Sequence, residues 1–165
     1  MDLPALYEED VYAWALHQAA VLRRLQGSGT PLPNDLDLDN VAEEIESLGN
    51  EQLFQVESNL EQALAHLLKL ATAPESDAAQ HWVGETRAFL HTARRRDRPS
   101  MRRVLDLAAL WAGFLRDLRR AARQDGIAPP VLPEAMPFTL DDLLDEDASP
   151  RALAARLAAA IAAAR

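Results

Sequence analysis

Residues 34–73 contain no proline, and through them apolar side chains recur every three or four positions. Val41, Ile45, Leu48, Leu53, Val56, Leu60, Leu64 and Leu67 make up this stripe. A period near 3.6 places them on one face and predicts an amphipathic helix. Proline lacks the N–H that a helix interior needs, and its ring clashes with the preceding turn. The prolines at 4, 31, 33, 74, 99, 129, 130, 133, 137 and 150 therefore punctuate the chain. Asp37 can cap a helix over residues 38–73. Gly49-Asn50 is the natural place to break it, yet the stripe crosses that point with a slip of only one residue. One helix of about 50 Å, at 1.5 Å per residue, is expected rather than two.

The other proline-free stretches read the same way. A first helix is predicted over residues 8–26, with Glu8, Glu9 and Asp10 at its positive end. A third is expected over residues 76–96. A fourth starts with Ser100 as cap and closes at Gly126. IAPPVLPEAMP (residues 127–137) is an extended strap, and Thr139 with Asp142 resembles a capping box for a short helix through Leu144. Ser149-Pro150 opens a final helix in cap and first-turn positions. Strand alternation is absent. The expected fold is all-α: an antiparallel bundle of four main helices, a proline-rich strap and two small C-terminal helices. Residues 1–147 form the bundle domain, and residues 148–165 an alanine-rich helix docked on it or on a second subunit. Trp14, Ile45, Leu60, Leu64, Trp82, Phe89, Trp111 and Phe114 are the expected core.

Composition narrows the function classes. The chain has no cysteine, which excludes disulfides, thiolate metal sites and a cysteine nucleophile. A net charge of −9 argues against general binding to nucleic acid or anionic membranes. No run is long and apolar enough to span a membrane, so a soluble, cytoplasmic protein is expected. Phosphate-loop, dinucleotide and nucleophile-elbow motifs are missing, and no cofactor is called for.

Several segments carry a resemblance: YEEDVYAWALHQAAVLR (residues 7–23), LDLDNVAEEIESLGNEQ (residues 36–52) and LAHLLKLATAPE (residues 64–75). Trp82, Arg87, RPSMRR (residues 98–103) and MPFTLDDLLDED (residues 136–147) complete it. Together they resemble the Domain of Unknown Function 29 family over roughly residues 5–147. Leu70 departs from the tryptophan common at that place. The resemblance implies a bacterial, all-helical protein and assigns no activity and no site residues.

Two constellations suggest chemistry. AEEIES (residues 42–47) with His66 evokes a carboxylate–histidine centre, but Glu44 and His66 lie 22 residues apart, about 33 Å along one helix. Glu43, Glu44 and Glu46 read better as an acidic face near a helix start. A hairpin centred on Pro74 would set His66 opposite position 82, near His81 and Glu85. Two imidazoles and a carboxylate could then bind zinc with one position open, the basis of a metal-dependent hydrolase or another small helical enzyme. The plainer reading is a surface His81–Glu85 pair beside a His66 at the core edge. The same arithmetic at the first loop sets His17 opposite Glu44, where a buried hydrogen bond would orient two helices.

Charge distribution is the strongest anomaly. Residues 1–85 carry a net −13, residues 86–125 a net +7, and the remainder −3. Arg94, Arg95 and Arg96 suit the negative end of the third helix. Arg102 and Arg103 would fall in the first turn of the fourth, where the dipole disfavours cations, so something must compensate them. The acidic half of the chain, a protein partner or second subunit, and a polyanion are the three choices. Arginine pairs with carboxylate and phosphate alike. Absence of interleaved aromatics weakens the case for nucleic acid. The leading reading is a small non-enzymatic interaction module whose partner, an unknown protein or a second copy, meets Arg94, Arg95, Arg96, Arg98, Arg102 and Arg103. Polyanion binding through residues 94–103 is the further alternative. On this reading, Arg102→Ala with Arg103→Ala alters association, measured by light scattering, more than it alters folding stability.

Overall fold

The computed structural model describes residues 3–164, and among them every regular element is helical. The α-helices are α1 (Leu3–Glu9), α2 (Val11–Gln26), α3 (Leu38–Thr72), α4 (Ala79–Arg96), α5 (Leu107–Gln124), α6 (Leu140–Leu144) and α7 (Pro150–Ala163). A 3-10 turn, Met101–Arg103, precedes α5. Met1 and Asp2 of the expected bundle domain, and Arg165 of its tail, lie outside the described residues.

The chain divides into two compact units along a line different from the expected boundary at residue 147. One comprises Met1–Gln55 with Arg96–Leu105, the other Val56–Arg95 with Asp106–Arg165. The long stripe does make a single helix: α3 has 35 residues, about 52 Å of length.

In the first unit the helix expected over residues 8–26 is broken at Asp10. Its backbone leaves the helical region (φ −145°, ψ 75°), and its carboxylate caps α2 by accepting from Ala13 N at 3.0 Å. Gly49 explains why α3 is not broken. A Cβ placed there would lie 2.9 Å from the Ala15 Cβ, so the glycine admits α2 rather than ending a helix. Ala15, Ala19 and Ala42 are buried around this approach. The packed face of this part of α3 is therefore Ala42 and Gly49, seven residues apart, and not Val41 and Leu48. Those two lie one position earlier, about 100° around the helix, and are 39% and 51% exposed. The Arg23–Glu46 ion pair and the Gln26 Nε2–Asp39 Oδ2 hydrogen bond (2.8 Å) run antiparallel along the same two helices.

The second unit holds the main core. Leu60, Leu64, Leu67 and Leu70 of α3 meet no solvent to speak of, and Val83, Thr86 and Leu90 of α4 are also buried. Thr86 satisfies its hydroxyl by donating to Trp82 O at 2.8 Å. Trp111 is fully buried and donates Nε1–H to Pro133 O at 3.0 Å, which ties the strap to α5. Of the expected core, Leu60, Leu64 and Trp111 are fully enclosed; Trp14, Ile45, Trp82, Phe89 and Phe114 are half-buried.

Helix α5 begins at Leu107, not after Ser100. Asp106 caps it by accepting from Ala109 N at 2.9 Å. Gly126 (φ 68°) closes it, with Ile127 N donating to Ala122 O at 2.9 Å. The capping box of α6 is formed: Asp142 N donates to Thr139 Oγ1 at 3.1 Å, and Thr139 N to Asp142 Oδ2 at 2.7 Å. Leu153, Leu157 and Ile161 of α7 are buried within this unit, and Arg156 reaches Asp142 at 3.0 Å.

Gly49 and Gly84 make a matched test. Both sit inside helices, but a Cβ at Gly84 meets nothing within 4 Å. Gly84→Ala should stabilise by about 0.5–1 kcal/mol through helix propensity. Gly49→Leu should destabilise by about 1–3 kcal/mol through overpacking. Chemical denaturation of both variants checks the contrast.

Candidate functional site

The arginine block falls on two differently built surfaces. In the first unit, the turn from Asp97 to Leu105 is pinned from inside. Ser100 donates its N–H to Asp10 Oδ2 (3.1 Å) and its hydroxyl to Asp10 Oδ1 (2.6 Å). Met101 is completely buried. Because the Ser100 side chain serves Asp10, it makes no helix cap, and Arg102 and Arg103 lie in the 3-10 turn rather than in the first turn of α5. The dipole argument for an external compensator thus lapses. Arg102 Nε pairs with Asp97 Oδ2 at 2.7 Å, and the Asp97 side chain is only 7% exposed. Asp97 Oδ1 has no partner among the described residues. Arg98 donates to Asp97 O at 2.9 Å, and Arg96 to Gln52 Oε1 at 3.3 Å. Arg103 is exposed, and its side chain, among the described residues, makes neither an ion pair nor a hydrogen bond. Val104 beside it is 51% exposed.

In the second unit Arg94 is a strut. Its Nε donates to Leu144 O at 2.7 Å and its Nη2 to Asp145 O. The helix-end dipole, which seemed to account for it, is secondary to this link. Arg95 is exposed.

The histidine constellation does not assemble. Among the described residues no three of His, Asp and Glu come together as a metal would require. His66 Nδ1 lies 2.9 Å from Gln62 O, and its ring packs on Phe89 at 5.6 Å. His66 thus meets Phe89 rather than position 82. His81 is eight residues from Phe89, about 12 Å along α4, and is exposed. The expected His17–Glu44 hydrogen bond is also absent: Glu44 is exposed, and Ala15 rather than His17 is the α2 residue against the middle of α3.

A cavity that the sequence did not advertise lies along α4. It measures about 430 Å³ and is lined by Gly84, Arg87, His91, Arg94, Glu146 and Ala148, among others. Spacings of three and four put Gly84, Arg87, Ala88 and His91 on one helical face. The Arg94 strut fixes the opposite wall at Leu144 and Asp145. It is an open groove, since Gly84, Arg87, Ala88, His91 and Glu146 are all exposed. A second, apolar recess of about 310 Å³ lies between the end of α3 and α7, with Leu70, Ala71, Pro74, Ala154 and Ala158 in its walls and Arg151 at its edge.

Residues 6–148 match the family described as Domain of unknown function DUF29. The chain belongs to that family. Among solved structures, this DUF29 chain is similar to an alpha-helical protein of unknown function from Rhodospirillum rubrum, at 32% identity and a TM-score of 0.79. The likeness covers 92% of this chain and 96% of that one. No curated protein matches. Membership thus fixes an all-helical fold and assigns no chemistry. No helix among the described residues of this DUF29 protein is long and apolar enough to cross a membrane.

Three carboxyl groups are perturbed. Burial raises Glu57 above its ordinary 4.5, and burial, then Glu57 and Asp117, raise Glu61. Asp142 is lowered from 3.8, chiefly by the Thr139 hydrogen bonds and then by Arg156. A raised carboxyl pKa means that the folded chain keeps protons the unfolded chain releases, so stability falls as pH rises through that window. The Asp142 contribution is present above its ordinary value and is lost as pH falls through its folded one. Glu61→Gln should therefore raise Tm at pH 7, and that advantage should shrink as pH falls towards the ordinary 4.5.

Proposed function

We propose that this chain is a non-enzymatic protein-interaction module that docks a protein partner, or a second copy of itself, through charged helical faces in the cytoplasm. The observation that carries this reading is the turn of residues 97–105. Its interior is held by a buried carboxylate on Ser100 and by buried Met101, while Arg103 and Val104 stand exposed on it. Rigid presentation lowers the entropy lost on docking, and an arginine beside an apolar side chain is a common interface composition. Val41, Leu48 and Phe54 add exposed apolar surface to α3 in the same unit.

The arrangement also sorts the arginines. Arg102 and Arg94 are engaged within the chain and serve folding; Arg103 is the residue available to a partner. The enzyme alternative is less favoured because His66, His81 and Glu85 do not form a metal-capable group among the described residues. Polyanion binding through residues 94–103 is weakened by the same engagement of Arg94 and Arg102.

A photo-crosslinking amino acid at position 104, in the full chain expressed in its own host, tests the proposal. One discrete adduct is expected, and Arg103→Glu should abolish it; an adduct of twice the chain mass identifies a second copy. Absence of a discrete adduct, or one indifferent to Arg103→Glu, overturns the reading. Arg102→Ala, by contrast, should lower Tm, because it strips the buried Asp97 of its cation.

A further inference from the structure

We infer that the α4 cavity is a binding site for a small molecule with an oxyanion at one end and an ammonium or hydroxyl donor at the other. Four observations carry this. First, Arg87 and His91 lie four residues apart on the lining face of α4, so their side chains can converge on one group. Arginine presents planar paired donors suited to carboxylate or phosphate, and imidazole adds a third donor when protonated.

Second, the side chains of Arg87, His91 and Glu146 are exposed and have no hydrogen-bond or ion-pair partner among the described residues. Within α4, the positions three and four away from Arg87 are Val83, Gly84, Leu90 and His91, none of them an acid. Its charge is therefore not neutralised by the helix that carries it. Third, Glu146 lines the same cavity but forms no salt bridge with Arg87. Opposite charges that face one cavity of about 430 Å³ without closing on each other leave room for a molecule between them. That molecule must satisfy both, which selects a bipolar ligand over a simple anion.

Fourth, the walls are set without the ligand. Gly84 and Ala88 supply a floor with almost no side chain, and nothing lies within 4 Å of where a Gly84 Cβ would stand. The facing segment is fixed by Arg94 on the Leu144 and Asp145 carbonyls and by Ala148 N donating to Asp145 O at 3.2 Å. Arg94 is thus a positioning residue, and Arg87, His91 and Glu146 are the contacts.

Backbone amide NMR of the full chain, titrated with inorganic phosphate and separately with phosphoethanolamine, reads the site directly. Saturable shifts are expected at residues 84–94 and 145–148 with both probes. Phosphoethanolamine should bind about tenfold more tightly, since only it offers Glu146 a charged donor. Glu146→Gln should remove that advantage while leaving phosphate binding equal or stronger. Arg87→Gln should weaken both by about tenfold or more at unchanged Tm. Three results would overturn the inference: no saturable shift at those amides, equal effects of Glu146→Gln on both probes, or shifts centred outside those residues. Capture by phosphatidylethanolamine vesicles without any response to free phosphoethanolamine would overturn the small-molecule source.

Discussion

One carboxylate organises the first unit. Asp10 is 92% buried in effect, with a relative exposure of 8%, and accepts hydrogen bonds from Ala13 N, Ser100 N and Ser100 Oγ. A carboxylate enclosed in protein loses much of its hydration, and only good hydrogen bonds make that tolerable. Asp10 obtains them from Ala13 nearby and from Ser100, ninety residues along the chain from Asp10 itself. The same atoms end α1, start α2 and hold the turn that carries Arg103. Its effect is topological as much as energetic: without the Ser100 contact, nothing in the local sequence requires that turn to lie against the start of α2.

That dependence separates what could be read in the sequence from what could not. Helix existence and helix ends were legible, because proline, glycine and capping side chains act within a few residues of themselves. The capping box at Thr139, the Ser149-Pro150 start and the Gly126 stop are all of this kind. The continuity of α3 through Gly49 was legible as well, from the stripe. Its rotation was not. Periodicity favours large apolar side chains, yet a close helix crossing is made by the smallest residues, and Ala42 and Gly49 occupy the packed face.

The arginines show the same limit in electrostatic form. A helix dipole is a local property, so it is the natural first account of a charge near a helix end. It misjudged Arg94, whose guanidinium is taken by carbonyls fifty residues away, and Arg102, whose partner Asp97 stands five residues earlier across a 3-10 turn. Both are cases where a specific hydrogen bond outweighs a diffuse field. The His66 constellation failed for a related reason. A hairpin register read from helix ends fixes which positions stand level, not which rings touch, and the His66 ring packs on Phe89.

The cavity follows from combining these two lessons. Arg87 and Arg94 are seven residues apart, so they share one face of α4, and composition alone gives no ground for treating them differently. Tertiary structure does. Arg94 finds the Leu144 and Asp145 carbonyls and becomes part of the wall. Arg87, two turns earlier, lines the same groove, is exposed, and its guanidinium has no acceptor among the described residues. A surface arginine free by chance would not bring with it a histidine on the same face and a glutamate on the facing wall. All three are exposed, and what sets them apart from other surface charges is that they line one groove.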